Sequence, residues 1–292
     1  MRSHFIPTNL GAPQNSSSGK TMRSHFVTSS AAMACALSGA TAMMTNVCSA
    51  QVAADYATNP TYAGGWAAGQ NGGFGFGAWS FNGTDPTPAG VYQGMTSSSP
   101  IGTAWTLFTH DNHTGLANAG RAINGGLQVG QTFETVINNP TAFHFYRGFD
   151  LLFTSGPDNS PPGNNTAALR LSVFNYSASN WSINDTGSVN TGLSSVTTGA
   201  AGMKLDLLLT SPTAYSLTLT PMNGATPYTH SGTLAGPISY VDFRLWDGAS
   251  GGPNDTANNF GISYMTISVP EPSTLAFVGL GFGGLLFFRR RK

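Results

Sequence analysis

The sequence predicts an all-β fold, an antiparallel β-sandwich flanked by a targeting segment at each end. Three observations predict it. Apolar and polar residues alternate at period two in short segments, and Gly, Pro, Asn and Asp separate those segments. After Gln51 no stretch keeps a helical apolar period over three turns. Once the two ends are set aside, residues 51–268 remain, a length that one β-sandwich fills.

The strands follow in chain order. A weak candidate covers 78–82, and stronger ones cover 103–109, 127–137 and 142–154. Leu169, Leu171 and Val173 then alternate with Arg170 and Ser172, and Leu205, Leu207 and Leu209 with Lys204, Asp206 and Leu208. Tyr215, Leu217 and Leu219 alternate with Ser216 and Thr218, and Val241, Phe243 and Leu245 with Asp242 and Arg244. Each segment offers one apolar face to a core and one wetter face to solvent, as strands of an antiparallel sandwich do. Another weak candidate covers 228–234. In 260–268 the alternation runs Phe260, Ile262, Tyr264 and then slips to Met265 and Ile267, which predicts a bulge near Tyr264. Residues 64–77, GGWAAGQNGGFGFG, are too glycine-rich for a central strand. They read as an entry loop that folds Trp66, Phe74 and Phe76 over the sandwich rim, or alternatively as an aromatic loop for stacking sugars.

The order of these segments, with GQTF at 130–133, GFD at 148–150 and LDLLLTSPTAYSLTLTP at 205–221, resembles a concanavalin A-like jelly roll of the laminin-G and legume-lectin kind.

The C-terminal end has three parts. Pro270, Glu271 and Pro272 come first; the two prolines fix φ and remove donors, so the preceding strand stops and the chain stays extended. An uncharged run follows, carried by Leu275, Phe277, Val278, Leu280, Phe282, Leu285, Leu286, Phe287 and Phe288. As a helix, 275–288 reaches about 21 Å, at the short end of what spans a bilayer. Arg289, Arg290, Arg291 and Lys292 close it as a basic stop, leaving the C-terminus in the cytoplasm and the domain outside. Residues 269–292 closely resemble the PEP-CTERM sorting signal. That resemblance implies export, tethering in the inner membrane, and recognition by an exosortase-like peptidase-transpeptidase in bacteria that make extracellular polysaccharide.

The N-terminal end supports export independently. MRSHF occurs at 1–5 and again at 22–26, so residues 1–21 read as an upstream extension and Met22 as the start. Residues 22–50 read as a signal peptide for the secretion machinery: Arg23 and His25, then an Ala-rich apolar stretch, then Cys48, Ser49 and Ala50 before a cut that leaves Gln51 first. Cys35 and Cys48 are the only cysteines, and both would be discarded. The mature protein then has no disulfide, thiolate metal site or cysteine nucleophile.

Charged residues are only 8% of the chain and the formal net charge is zero. Between Gln51 and the tail the cations are Arg121, Arg147, Arg170, Lys204 and Arg244, too scattered to neutralise a phosphate backbone, so nucleic-acid binding is set aside. Gly, Asn, Ser and Thr supply solubility instead and suit contact with sugars. The Asn-x-Ser/Thr triplets at Asn82, Asn112, Asn164, Asn175, Asn180, Asn184 and Asn254 follow from that composition first.

Catalytic signatures are sparse. The sandwich glucanases this fold resembles use Glu-x-Asp-x-Glu or Glu-x-Asp-x-x-Glu, and neither occurs; Glu134 and Glu271 are the only glutamates. Asp150, Asp206 and Asp242 read as solvent-facing strand residues. His110, Asp111 and His113 form a ligand-like triplet in a loop, read as surface polar groups. Asp247, Asn254 and Asp255, within DGASGGPNDTANN, offer hard oxygens of the type calcium takes, although Asx turns use the same residues. No other cofactor is expected. The sequence therefore predicts an exported, non-enzymatic surface or matrix protein associated with extracellular polysaccharide. The alternatives are a lectin-like module and, behind it, a divergent glycoside hydrolase.

Overall fold

Strand pairing divides the chain into two antiparallel sheets. The computed structural model describes residues 49–84, 91–109, 115–138, 147–157, 167–174, 180–187, 191–197, 201–247 and 260–270. The strands are β1 (Ser49–Tyr56), β2 (Ser80–Thr84), β3 (Val91–Ser99), β4 (Gly102–Thr109), β5 (Gly115–Ala122), β6 (Thr132–Asn138), β7 (Arg147–Thr154) and β8 (Leu169–Phe174). They continue with β9 (Asn180–Asn184), β10 (Thr191–Thr197), β11 (Met203–Ser211), β12 (Ala214–Pro221), β13 (Tyr228–Thr233), β14 (Tyr240–Asp247) and β15 (Phe260–Pro270). One 3-10 turn, Pro60–Tyr62, follows β1. Among the described residues no helix is long and apolar enough to cross a membrane.

An eight-stranded sheet runs β13-β12-β11-β6-β15-β4-β3, with β1 added against β15, and a seven-stranded sheet runs β10-β9-β8-β7-β14-β5-β2. Alternation decides which side chains meet between them. Phe133, Leu205, Leu207, Leu217, Leu219, Met265 and Ile267 of the larger sheet join Phe149, Leu151, Phe153, Leu169, Leu171, Val241, Phe243 and Leu245 of the smaller in one buried cluster. Phe133 meets Phe153 edge-on across the gap at 5.2 Å, a favourable arrangement for ring quadrupoles.

The bulge predicted near Tyr264 is present: the register of β15 on β6 shifts between Ile262 and Tyr264. It returns Met265 and Ile267 to the core after Phe260 and Ile262. It also divides the other edge of β15, where Phe260–Ile262 pair with β4 and Tyr264–Pro270 pair with β1. The strand expected to stop at Ser268 runs two residues further, to Pro270.

Several expectations changed at their edges. The strand expected over 127–137 begins only at Thr132, because Gln128–Gln131 form a turn and the Leu127 amide bonds to Ile238. Strands β1, β3, β5, β9 and β10 were not anticipated; GLANAGRA in β5 has too little apolar alternation to be read as a strand.

The loop over 64–77 does close the rim, but its aromatics divide. Trp66 and Phe76 are buried, with Trp66 edge-on to Trp79 at 4.9 Å and to Phe81 at 4.8 Å, whereas Phe74 is 53% exposed. Burial of Trp66 and Phe76 removes them as sugar-stacking surfaces. The loop runs close enough to β1 that a Cβ on Gly73 would fall 1.9 Å from the Ala54 carbonyl oxygen. Gly75 takes φ +76°, and a Cβ there would fall 2.4 Å from that of Ala53.

One buried ion pair ties this rim together. Asp55 on β1 and Arg121 on β5 are fully buried, with Nη1 donating to Oδ2 at 2.5 Å. Arg121 also donates to Asn71 Oδ1 and the Gly77 carbonyl, and its guanidinium lies 4.7 Å from the Trp79 ring centroid. The Tyr62 hydroxyl gives Asp55 a second hydrogen bond at 2.5 Å. Burial, then the Asp55 carboxylate, push the Tyr62 phenol pKa above its ordinary value. Arg121→Ala leaves Asp55 buried without its counter-ion and is expected to cost about 3–5 kcal/mol, read as a lowered urea midpoint.

Candidate functional site: a polar face on the seven-stranded sheet

Every second residue of the seven-stranded sheet faces away from the core, and there the register lines up polar groups. Asn82 of β2 pairs with Asn118 of β5, Asn118 with Arg244 of β14, and Arg244 with Asp150 of β7. Asp150 pairs with Ser172 of β8, and Ser172 with Ser182 of β9. The neighbouring rung carries Gly120, Asp242, Leu152, Arg170 and Asn184.

This face corrects the reading of Asp150 and Asp242 as solvent-facing: each is only 1% exposed. The physical reason lies on the adjoining strands. Arg244 stands opposite Asp150, and Arg170 donates Nε–H to Asp150 Oδ1 at 2.9 Å, so the carboxylate is charge-compensated where the sequence reading supplied only water. The Asp242 carboxylate lies over Gly120, where a Cβ would fall 1.9 Å from Oδ1. Burial pushes the Asp150 pKa up; the charges of Arg170 and then Arg244 oppose that without overcoming it. Asp150 Oδ2 is buried and accepts no hydrogen bond, and the buried Ser172 hydroxyl makes none. Ser172 nevertheless lies near enough to favour the charged carboxylate.

Hydroxyl-rich ligands suit such a row. A sugar hydroxyl can donate to a carboxylate while its oxygen accepts from a guanidinium or amide. Asp150 and Asp242 are also diagonal neighbours on adjacent strands, which sheet geometry spaces at about 7–8 Å.

A second cluster lies on the outer face of the eight-stranded sheet. Asp206, the third aspartate read as solvent-facing, is partly buried there, directly opposite Glu134. Lys204 Nζ reaches Glu134 at 2.8 Å and Asp206 at 3.1 Å, and the Tyr264 hydroxyl donates to Glu134. Burial alone raises the Glu134 pKa, but hydrogen bonds from Lys204, Tyr264 and Asp206 together carry it below the usual 4.5. Asp206 moves the other way, through burial and then its hydrogen bond with Glu134 and the Glu134 charge. A third cluster joins Tyr215 to the buried Asp185 at 2.6 Å, with His230 Nε2 at 3.7 Å.

The residues singled out from sequence are distributed as follows. Ala50 and Gln51 lie in β1, and Pro270 ends β15. Asp247 ends β14, in register with Gly115 and Arg147. Asn254 and Asp255, the triplet His110, Asp111 and His113, and residues 271–292 lie outside the described residues. Among the described residues no group of three or more His, Cys, Asp or Glu is positioned to hold a metal. Sequence reasoning missed Arg170 and Arg244 as partners of Asp150. The signal was present in their alternation with core leucines, but it identifies a face and not what stands across from it.

Residues 268–292 match the PEP-CTERM protein-sorting motif, the mark of an exported protein carrying a C-terminal sorting tail. No curated protein sequence matches the chain. Among solved structures it is similar to lectin II from Ulex europaeus, at 11% identity and TM-score 0.42, covering 75% of this chain and 100% of that one. It is similar to the VIP36 exoplasmic/lumenal domain in its Ca2+/Man3GlcNAc-bound form, at 13% identity and TM-score 0.39, covering 65% of this chain and 84% of that one. A family 16 glycosyl hydrolase protein from Mycobacterium smegmatis is similar at 13% identity and TM-score 0.39, covering 75% and 100%. The two-sheet architecture rests on the strand pairing above and not on these similarities.

The Glu134 cluster has a definite pH signature. Its lowered pKa gives stability that is present above the unfolded value near 4.5 and lost as pH falls through the lower folded value. The difference in melting temperature between the parent and Glu134→Gln is therefore expected to shrink below that pH.

Proposed function

We propose that this protein is an exported, non-enzymatic component of the cell surface or extracellular matrix. In this reading the tail holds it in the inner membrane until an exosortase-like enzyme processes it, after which it associates with extracellular polysaccharide. The observation that carries the reading is the sorting motif at 268–292, which begins within the last residues of β15. Intact mass and C-terminal sequencing of protein recovered from cells test it: loss of everything after the PEP triplet is expected, and a retained RRRK end would mean a permanent anchor.

A second reading, a lectin-like module with a discrete site, is favoured by the polar row of Asn118, Arg244, Asp150 and Ser172 across the seven-stranded sheet. In this reading one hydroxyl-bearing pyranose ring donates to Asp150 and accepts from Arg244. Both residues are buried, so binding requires the face to open and its on-rate reports that opening. Asp150→Asn is expected to weaken saturable binding about 10-fold, as loss of a hydrogen bond to a charged group does. A glycan array of parent and variant checks this, and a chelator arm tests whether calcium at Asp247, Asn254 and Asp255 assists.

No release of reducing ends from polysaccharide is expected. Asp150 is buried and its Oδ1 is engaged by Arg170, whereas a glycosidase needs a proton donor free to meet the leaving-group oxygen. Hydrolysis abolished by both Asp150→Asn and Asp242→Asn would replace the non-enzymatic reading with a hydrolase.

A further inference from the structure

The two ends of the folded domain are neighbours in one ladder. On the β6 side, the register of β15 ends at Ser268 opposite Thr132. On the β1 side it runs two residues further, with Val269 opposite Ala50 and Pro270 opposite Ser49. The ladder partners of the first residue of the PEP triplet and of the residue before it are thus Ser49 and Ala50. These are the last two residues that a cut between Ala50 and Gln51 removes.

A peptidase reads its substrate as an extended strand whose backbone pairs with the enzyme, and a segment already paired in a sheet cannot offer those groups. We propose that Ser49 and Ala50 mask the start of the sorting signal, and that signal-peptide removal after Ala50 exposes Val269 and Pro270 to the C-terminal processing enzyme. Cleavage at the N-terminus therefore precedes and licenses cleavage at the C-terminus. A chain whose export is incomplete keeps its tail, and with it both tethers. This inference rests on the sorting function proposed above and on the cut at Ala50.

The mask is a backbone ladder, so side chain and ladder can be separated at one position. Signal peptidase needs a small residue before its cut, so Ala50→Phe and Ala50→Pro both block N-terminal cleavage. Ala50 is exposed, so Phe is accommodated with the ladder intact, whereas Pro removes the amide and breaks the pairing with Val269. The experiment is intact mass of the full chain and its two variants recovered from producing cells. The parent is expected to begin at Gln51 and to lack the tail. Ala50→Phe is expected to keep both ends, and Ala50→Pro to keep its N-terminal segment yet lose the tail as the parent does. Tail loss from Ala50→Phe at the parental level overturns the mask. Tail retention in both variants also overturns it, since the second membrane tether and not the ladder would then block processing. A parent that keeps RRRK fails the sorting reading, and a parent that begins elsewhere than Gln51 fails the assumed cut; either result removes the basis of the proposal.

Discussion

The buried pair of Asp55 and Arg121 constrains the rest of the molecule. It joins β1, in one sheet, to β5, in the other, through a contact that neither sheet's hydrogen bonds supply. Removing two charges from water is expensive, and here the cost is offset by a full set of partners: Tyr62 on the carboxylate, and Asn71, the Gly77 carbonyl and two aromatic rings around the guanidinium. Those partners lie in or beside the glycine-rich loop, which explains why a segment with so little side chain has a defined path. Once β1 is fixed, its register on β15 is fixed, and with it the point at which the chain leaves the fold.

Among the described residues, charge is used inside the protein more than on its surface. Arg121, Arg170 and Lys204 are each committed to carboxylates, two of them in buried settings. What faces solvent among the described residues is then largely amide and hydroxyl, whose hydrogen bonds do not depend on counter-ions. Such contacts are insensitive to the salt concentrations that screen charge–charge attraction within about 10 Å.

Much of the architecture was legible from period two alone. Leu205, Leu207 and Leu209, and Val241, Phe243 and Leu245, declared their strands, and the slip at Tyr264 declared its bulge because one extra residue flips the phase of everything after it. The PEP triplet was legible because it is a local signal that needs no fold. Strand β5 was not, since glycine and alanine give no alternation and only its neighbours β14 and β2 make it a strand. Nor was the polar face: the sequence shows that Asp150 points away from the core, but its partner Arg170 lies 20 residues away. A pattern assigns a residue to a face; only pairing says whether that face meets water or an opposite charge.

The position of β15 also decides how the molecule bears force. A domain held by the segment that follows Pro270 receives tension along a strand with β6 on one edge and β4 and β1 sharing the other. Ladder hydrogen bonds lie across the strand direction, so such a pull shears many of them at once instead of peeling them singly. Detachment under load then waits on a cooperative rupture whose rate is that of forced unfolding. A fold entered through an edge strand such as β13 would open like a zipper; this one is gripped along its interior and yields all at once or not at all.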